Sequence, residues 1–338
     1  MNYTRLASAT TLLALVIIVL GAYVRLTDAG LGCPDWPGCY GTLTVPRGEA
    51  AVAAAEQAFP ARPLEAGKAW REMIHRYIAG ILGIAIFILA LLACRMQQRT
   101  TIGLLLPLSL VILVAFQGAL GMWTVTLLLK PAIVTAHLTG GMLILALLTW
   151  LVLRSLDQRQ PSRPRNRGFY AAWVGLVILG MQIVLGGWTS TNYAALACPD
   201  LPTCQGRWLP LEAVAEAYQV WGQVGIDYEG GHLSNEARMA VHIVHRLGAV
   251  ITFLYIGTLA LFFIRSGPVS RIRVAAAATL LLVLSQFAIG MANVVFNLPL
   301  ALALAHNAGA ALLLMAMVTM TYWLGLGATP CVHRRIAA

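Results

Sequence analysis

Residues 33–39 read CPDWPGC (Cys33 to Cys39), and residues 198–204 read CPDLPTC (Cys198 to Cys204). The two stretches are 165 residues apart in a chain of 338. Gly21-Ala22 pairs with Gly186-Gly187 at the same offset. His75-Arg76 pairs with His245-Arg246 at an offset of 170. Gln117, Gly121-Met122 and His137 pair with Gln286, Gly290-Met291 and His306 at 169. Landmarks in one order at a nearly constant offset mark an internal duplication, which divides the chain into halves 1–160 and 161–338.

Hydrophobic residues make up 59% of the sequence and charged residues 11%, against roughly 25% charged in soluble domains. So much apolar surface needs a bilayer as solvent. Runs long enough to span fall at about 8–27, 73–94, 102–128, 132–153, 169–189, 239–264, 274–296 and 301–326. The first run lacks a clean small-residue cleavage site and reads as a retained helix rather than a signal peptide. The net charge of +10 does not point to nucleic acid, because the basic residues sit at the ends of apolar runs, where lipid headgroups meet them.

The connections after the second, fourth and sixth runs carry Arg95 and Arg99; Arg154, Arg159, Arg163, Arg165 and Arg167; and Arg265, Arg271 and Arg273. With Arg5, Arg334 and Arg335 at the ends, that side holds thirteen basic residues against one acid, Asp157, while the other side holds ten against twelve. The bias predicts both termini in the cytoplasm and the long loops at about 28–71 and 190–238 outside. Each half has an even number of spans, so both enter from the same side. The expected fold is an all-α polytopic membrane protein of eight transmembrane helices, built as two tandem, parallel-related four-helix bundles. Short amphipathic helices are expected in the outside loops at about 49–59 and 211–221.

His75 and His245 fall near the start of the second helix of each half, and His137 and His306 a turn or two inside the fourth. Ionisable residues inside membrane helices are costly and usually functional. A packing role is the bland alternative, and recurrence in both halves at matched depth weighs against it. Zinc would need further ligands, and no additional His, Cys or acid lies at that depth in both halves. A haem needs two axial imidazoles and apolar walls. Gly80, Gly140, Gly141, Gly248 and Gly309 would let a macrocycle approach.

Arg76 and Arg246 follow their histidines, and with Arg25 they are candidate partners for haem propionates; snorkelling to headgroups is the alternative. Glu72 lies three residues before His75 on the same helical face. Its counterpart is His242, itself an alternative ligand to His245. An acid in one half alone suggests different work at the two sites. Cys33 and Cys39, and Cys198 and Cys204, lie in loops expected on the oxidising side of the membrane, so one disulfide per half is expected, with a redox-active dithiol also open.

This ordered set resembles the haem A synthase family of the CtaA/Cox15 type, in the form that has a cysteine pair in each long outside loop. The matching residues are a Gly-rich first helix leading into a Cys loop, ExxHR at Glu72 to Arg76, a second HR at His245-Arg246, and AH followed by glycine at His137 and His306. The resemblance covers about residues 8–326. It implies an oxidoreductase that converts the C8 methyl group of haem O to a formyl group by successive hydroxylation, giving haem A for cytochrome c oxidase. It also implies a substrate haem O held by His75 and His137 beside Glu72, and a haem b held by His245 and His306. The implied setting is the bacterial cytoplasmic (inner) membrane. The implied partners are membrane lipid, haem O synthase as substrate donor and cytochrome c oxidase assembly factors; a homo-oligomer stays open. Competing readings are a bis-His electron-transfer cytochrome linked to quinone, a quinone-linked thiol oxidoreductase acting through the cysteines, and a transporter.

Overall fold

A computed structural model describes residues 3–96, 103–157, 167–222 and 225–326. Arg99, Arg159, Arg163, Arg165, Arg334, Arg335 and Cys331 lie outside the described residues. The helices are α1 (Tyr3–Leu26), α2 (Glu49–Ala58), α3 (Ala66–Met96), α4 (Leu105–Thr126), α5 (Pro131–Leu156), α6 (Arg167–Thr191), α7 (Val214–Ala217), α8 (Asn235–Ser266), α9 (Ser270–Val295) and α10 (Leu300–Leu326). All but α2 and α7 are long and apolar enough to cross a membrane. Each of these eight turns large apolar side chains outward, among them Leu12, Ile84, Ile112, Leu143, Met181, Leu254, Leu281 and Leu312. The chain is an all-α polytopic membrane protein.

Hydropathy placed the starts of α3 and α8 too late. Their first turns are polar, and α8 opens with a cap in which the Ser234 side chain accepts from the Ala237 N–H at 3.2 Å. His75 is therefore the tenth residue of α3 and His245 the eleventh of α8. The helix expected at 211–221 is a single turn, α7. Its last carbonyl, on Ala217, accepts from Trp188 Nε1 at 2.8 Å, and the Glu216 carboxylate is bound by Ser234. The first of those bonds occupies a carbonyl that a further turn would use.

In the first four crossing helices, α1 packs on α3 and α5, α3 on α4, and α4 on α5. The same pattern recurs with α6, α8, α9 and α10. Across the halves, α1 meets α10, α6 meets α5, and α5 meets α10. One apolar core runs through both sets, centred on Leu145, Leu148 and Leu151 of α5 and Leu313, Leu314 and Met317 of α10. The α4–α5 reversal uses positive φ at Leu128 and Leu129, and the α9–α10 reversal uses it at Asn297 and Leu298, again 169 residues on. This is the contact pattern that a parallel repeat about one axis produces.

Candidate functional site

The two Cys loops are built by the same bonds. Cys33–Cys39 and Cys198–Cys204 are both disulfides. Inside each loop an aspartate ties the turn. Asp35 accepts from the N–H groups of Tyr40 at 2.6 Å and Gly41 at 2.8 Å. Asp200 accepts from those of Gln205 at 2.5 Å and Gly206 at 3.0 Å. The Thr203 hydroxyl, together with the Gly206 and Gln205 N–H groups, holds the Asp200 carboxyl down to about 2. Tyr40 and Gln205 both take positive φ at this turn, and each is followed by a glycine that does the same.

Arginines from the crossing helices clamp these loops from below. Arg76 Nη1 donates to the carbonyls of Asp35 at 3.0 Å, Pro37 at 3.3 Å and Gly38 at 2.5 Å. Arg246 donates to those of Cys198 at 2.7 Å, Asp200 at 2.9 Å and Thr203 at 2.8 Å. Arg25 donates to the Ser190 carbonyl at 2.7 Å and lies 4.1 Å from the centre of the Tyr193 ring. All three arginines singled out from the sequence are thus engaged with protein carbonyls.

Glu72 joins the first loop to α3. It is 5% exposed, its Oε1 lies 2.5 Å from Arg76 Nη2, and its Oε2 accepts the Cys33 N–H at 2.9 Å. At the matching place in the second half His242 is also 5% exposed, and its Nδ1 has no partner. The carboxylate therefore has a cation and a backbone donor, and each is attached to a disulfide loop.

The four histidines form two pairs. His75 and His137 lie within electrostatic range of each other, as do His245 and His306. Each ring rests on a glycine of a neighbouring helix. A Cβ at Gly21 would meet His75 at 3.0 Å, and one at Gly186 would meet His245 at 3.2 Å. At Gly121 the distance to His137 would be 3.3 Å, and at Gly290 to His306 3.4 Å. The glycine–histidine contacts thus obey the repeat in full. Among the described residues no group of three or more His, Cys, Asp or Glu side chains converges as a metal site. The geometry offers two pairs of imidazoles, each ring packed on a glycine.

Residues 4–318 match the family described as cytochrome oxidase assembly protein. The chain belongs to that family. It is 44% identical to a protein named heme A synthase from Shewanella oneidensis, over 96% of this chain and 97% of the relative. It is 30% identical to one of the same name from a Chelativorans species, over 93% of this chain and 88% of the relative. A third, from Shouchella clausii, is 26% identical over 94% and 93%.

The sequence reading missed one set of residues, the glutamines. Gln117 Nε2 lies 3.1 Å from His137 Nδ1, and Gln182 Nε2 lies 3.1 Å from His245 Nδ1. In the sequence Gln117 and Gln286 stand out as landmarks of the repeat and as polar residues within apolar runs, not as partners of the histidines. Gln182 was invisible, because its counterpart in the first half is Ile17. A lone amide within an apolar helix was the available signal.

Proposed function

We propose that the chain is a haem A synthase, an oxidoreductase that converts the C8 methyl group of haem O to a formyl group. The substrate lies in the first half, 1–160, between His75 and His137 beside Glu72. A resident haem b lies in the second half, 161–338, between His245 and His306. The observation that carries this reading is an asymmetry within a symmetric frame. Both halves present facing histidines on glycines, and only one adds a buried carboxylate, Glu72, one helical turn from a ligand.

The residues present fit haem. Each ring packs on a glycine backbone rather than on a side chain. Buried polar atoms beside the rings lack partners: Oε1 of Gln117 and Gln182, Nε2 of Gln286 and Nδ1 of His306. Such atoms are expected where a ligand's own bonding will reset the hydrogen-bond pattern around it. When bound, a haem in the second half supplies one-electron transfer. In the first half, His75 and His137 orient the substrate, the apolar helix faces exclude water, and Glu72 holds or moves a proton at its carboxyl oxygens. Arg76 and the Cys33 N–H fix the direction of that carboxyl.

The arginine bias places both termini in the cytoplasm and the Cys loops on the outer face of a bacterial inner membrane. Haem O is apolar, so delivery from haem O synthase through the bilayer suits the chemistry. The product then serves cytochrome c oxidase and its assembly factors.

The test is to express the chain with a haem O synthase in a host that makes no haem A, and to separate and weigh the extracted haems. A species with the methyl-to-formyl mass change, absent with His75→Ala, is expected. Unchanged haem O beside bound haem b in folded protein would overturn the reading in favour of an electron-transfer cytochrome.

A further inference from the structure

Three of the four paired histidines are followed, one helical turn on, by a glycine: His137 by Gly140, His245 by Gly248 and His306 by Gly309. Each of these glycines seats a glutamine amide from a neighbouring helix: Gln117 of α4 on Gly140, Gln182 of α6 on Gly248, and Gln286 of α9 on Gly309. A Cβ at any of the three would overlap the amide. Residues one turn apart share a helix face, so an amide held on the glycine is held beside the imidazole. Two of the amides reach Nδ1 at 3.1 Å. In the third case Gln286 Nε2 packs on Gly309, and neither it nor His306 Nδ1 has a partner, so no bond joins the two.

His75 departs from this pattern at both positions. Its third following residue is Ile78, and the place of Gln182 is taken by Ile17. Among the described residues the His75 side chain has no hydrogen-bond partner; Gly21 packs on it, and Glu72 precedes it by one turn. An outer bond on a ligating imidazole fixes the ring and raises its basicity, and its loss typically weakens the metal site roughly 10–100-fold. An imidazole bound through Nε2 carries its proton on Nδ1. In this structure Nε2 faces Nδ1, so accepting that proton requires the Gln117 and Gln182 amides to turn and bring round Oε1, which is buried against the glycine without a partner.

We infer that His75 is the exchangeable ligand of the four, and that Gln117 and Gln182 are positioning residues that keep His137 and His245 fixed, with Gln286 seated on Gly309 to take the same role at His306 once a ligand is bound. The inference rests on the reading of both pairs as haem ligands. A haem that is exchanged must lose both ligands, and a weakly held one lets the site open first; a resident haem needs neither to open. The missing brace falls in the half that holds the acid. Glu72 lies one turn from His75 on the same helix, so the acid would stand beside the ligand that opens.

The experiment is carbon monoxide binding to the full-length, dithionite-reduced protein carrying haem in both halves, followed optically, with haem content measured separately. Carbon monoxide is expected to bind one of the two haems. Ile17→Gln with Ile78→Gly, which transplants the brace to His75, slows that binding roughly 10–100-fold. Gln182→Leu, which removes a brace, makes the second haem reactive in the molecules that retain it, the reactive fraction being taken against the measured haem content. Equal reactivity of both haems in the unaltered protein, or rates insensitive to both changes, would overturn the inference and leave the haem assignment standing. Absence of haem from the folded, unaltered protein would overturn both.

Discussion

The Glu72 carboxylate accepts the backbone N–H of Cys33 at 2.9 Å, so the acid beside the first histidine pair is directed by the same residue that begins the first disulfide. Replacing it by glutamine keeps an acceptor for Cys33 and removes the proton-carrying group. Glu72→Gln is expected to retain haem in both halves and to lower formyl product roughly 10²–10⁴-fold, measured by mass spectrometry of extracted haems. Glu72→Ala takes the carboxylate from Arg76, which keeps its loop carbonyls, and the acceptor from the Cys33 N–H, and is expected to cost about 1–3 kcal/mol in addition, visible as a lower unfolding midpoint in detergent.

The two disulfides should separate structure from chemistry. Each closes a loop of the same length, and removing either by paired Cys→Ser changes should cost about 2 kcal/mol by chain entropy. Only Cys33 donates to an acid. The Cys33/Cys39 change is therefore expected to lower turnover beyond its effect on stability, and the Cys198/Cys204 change is not. Equal loss of turnover per folded molecule would count against a special role for the first loop.

Arg246 binds three carbonyls of the second loop, and hydrogen bonds to charged groups contribute roughly 1.5–3 kcal/mol each. Arg246→Ala should free the loop, with faster reduction of Cys198–Cys204 by added thiol, followed by alkylation and mass spectrometry. Arg246→Lys, which lacks the planar fork, should fall between the alanine variant and the unaltered protein. A reduction rate equal to that of the unaltered protein would show that the clamp is not what protects the bond.

The glycine slots make a separate prediction for each half. A branched side chain at Gly186 would meet His245. Gly186→Val is expected to empty the second half and remove about half of the bound haem. Gly121→Val should do the same to the first half through His137. Haem content per folded chain reads both, and an unchanged value for either would mean that the ring packs elsewhere.

The eight crossing helices could be read from the apolar runs, because bilayer thickness dictates their length. The repeat could be read because CPDWPGC and CPDLPTC are short, distinctive and far apart. The starts of α3 and α8 could not, since hydropathy does not register a polar first turn held by a cap such as Ser234. Arg76 and Arg246 stand out in the sequence because each directly follows a membrane histidine. A sequence does not say which way a long side chain points, however, and their guanidinium groups turn to loop carbonyls. Gln182 escaped because the comparison of halves rewards identity, and here the informative fact is a difference from Ile17.

Arg25 donates to the carbonyl of Ser190, and the Tyr193 hydroxyl donates to Asp28 at 3.1 Å. Each of these pairs is separated by 165 residues, so each residue touches its own counterpart. In a two-fold homodimer a residue on the axis can only face a copy of itself, and arginine against arginine or aspartate against aspartate would repel. Joining the two halves in one polypeptide removes that constraint. Once covalently linked, the copies were free to diverge at the seam and at their centres. That freedom is what allows a frame of matched halves to keep an acid at position 72 and a histidine at 242.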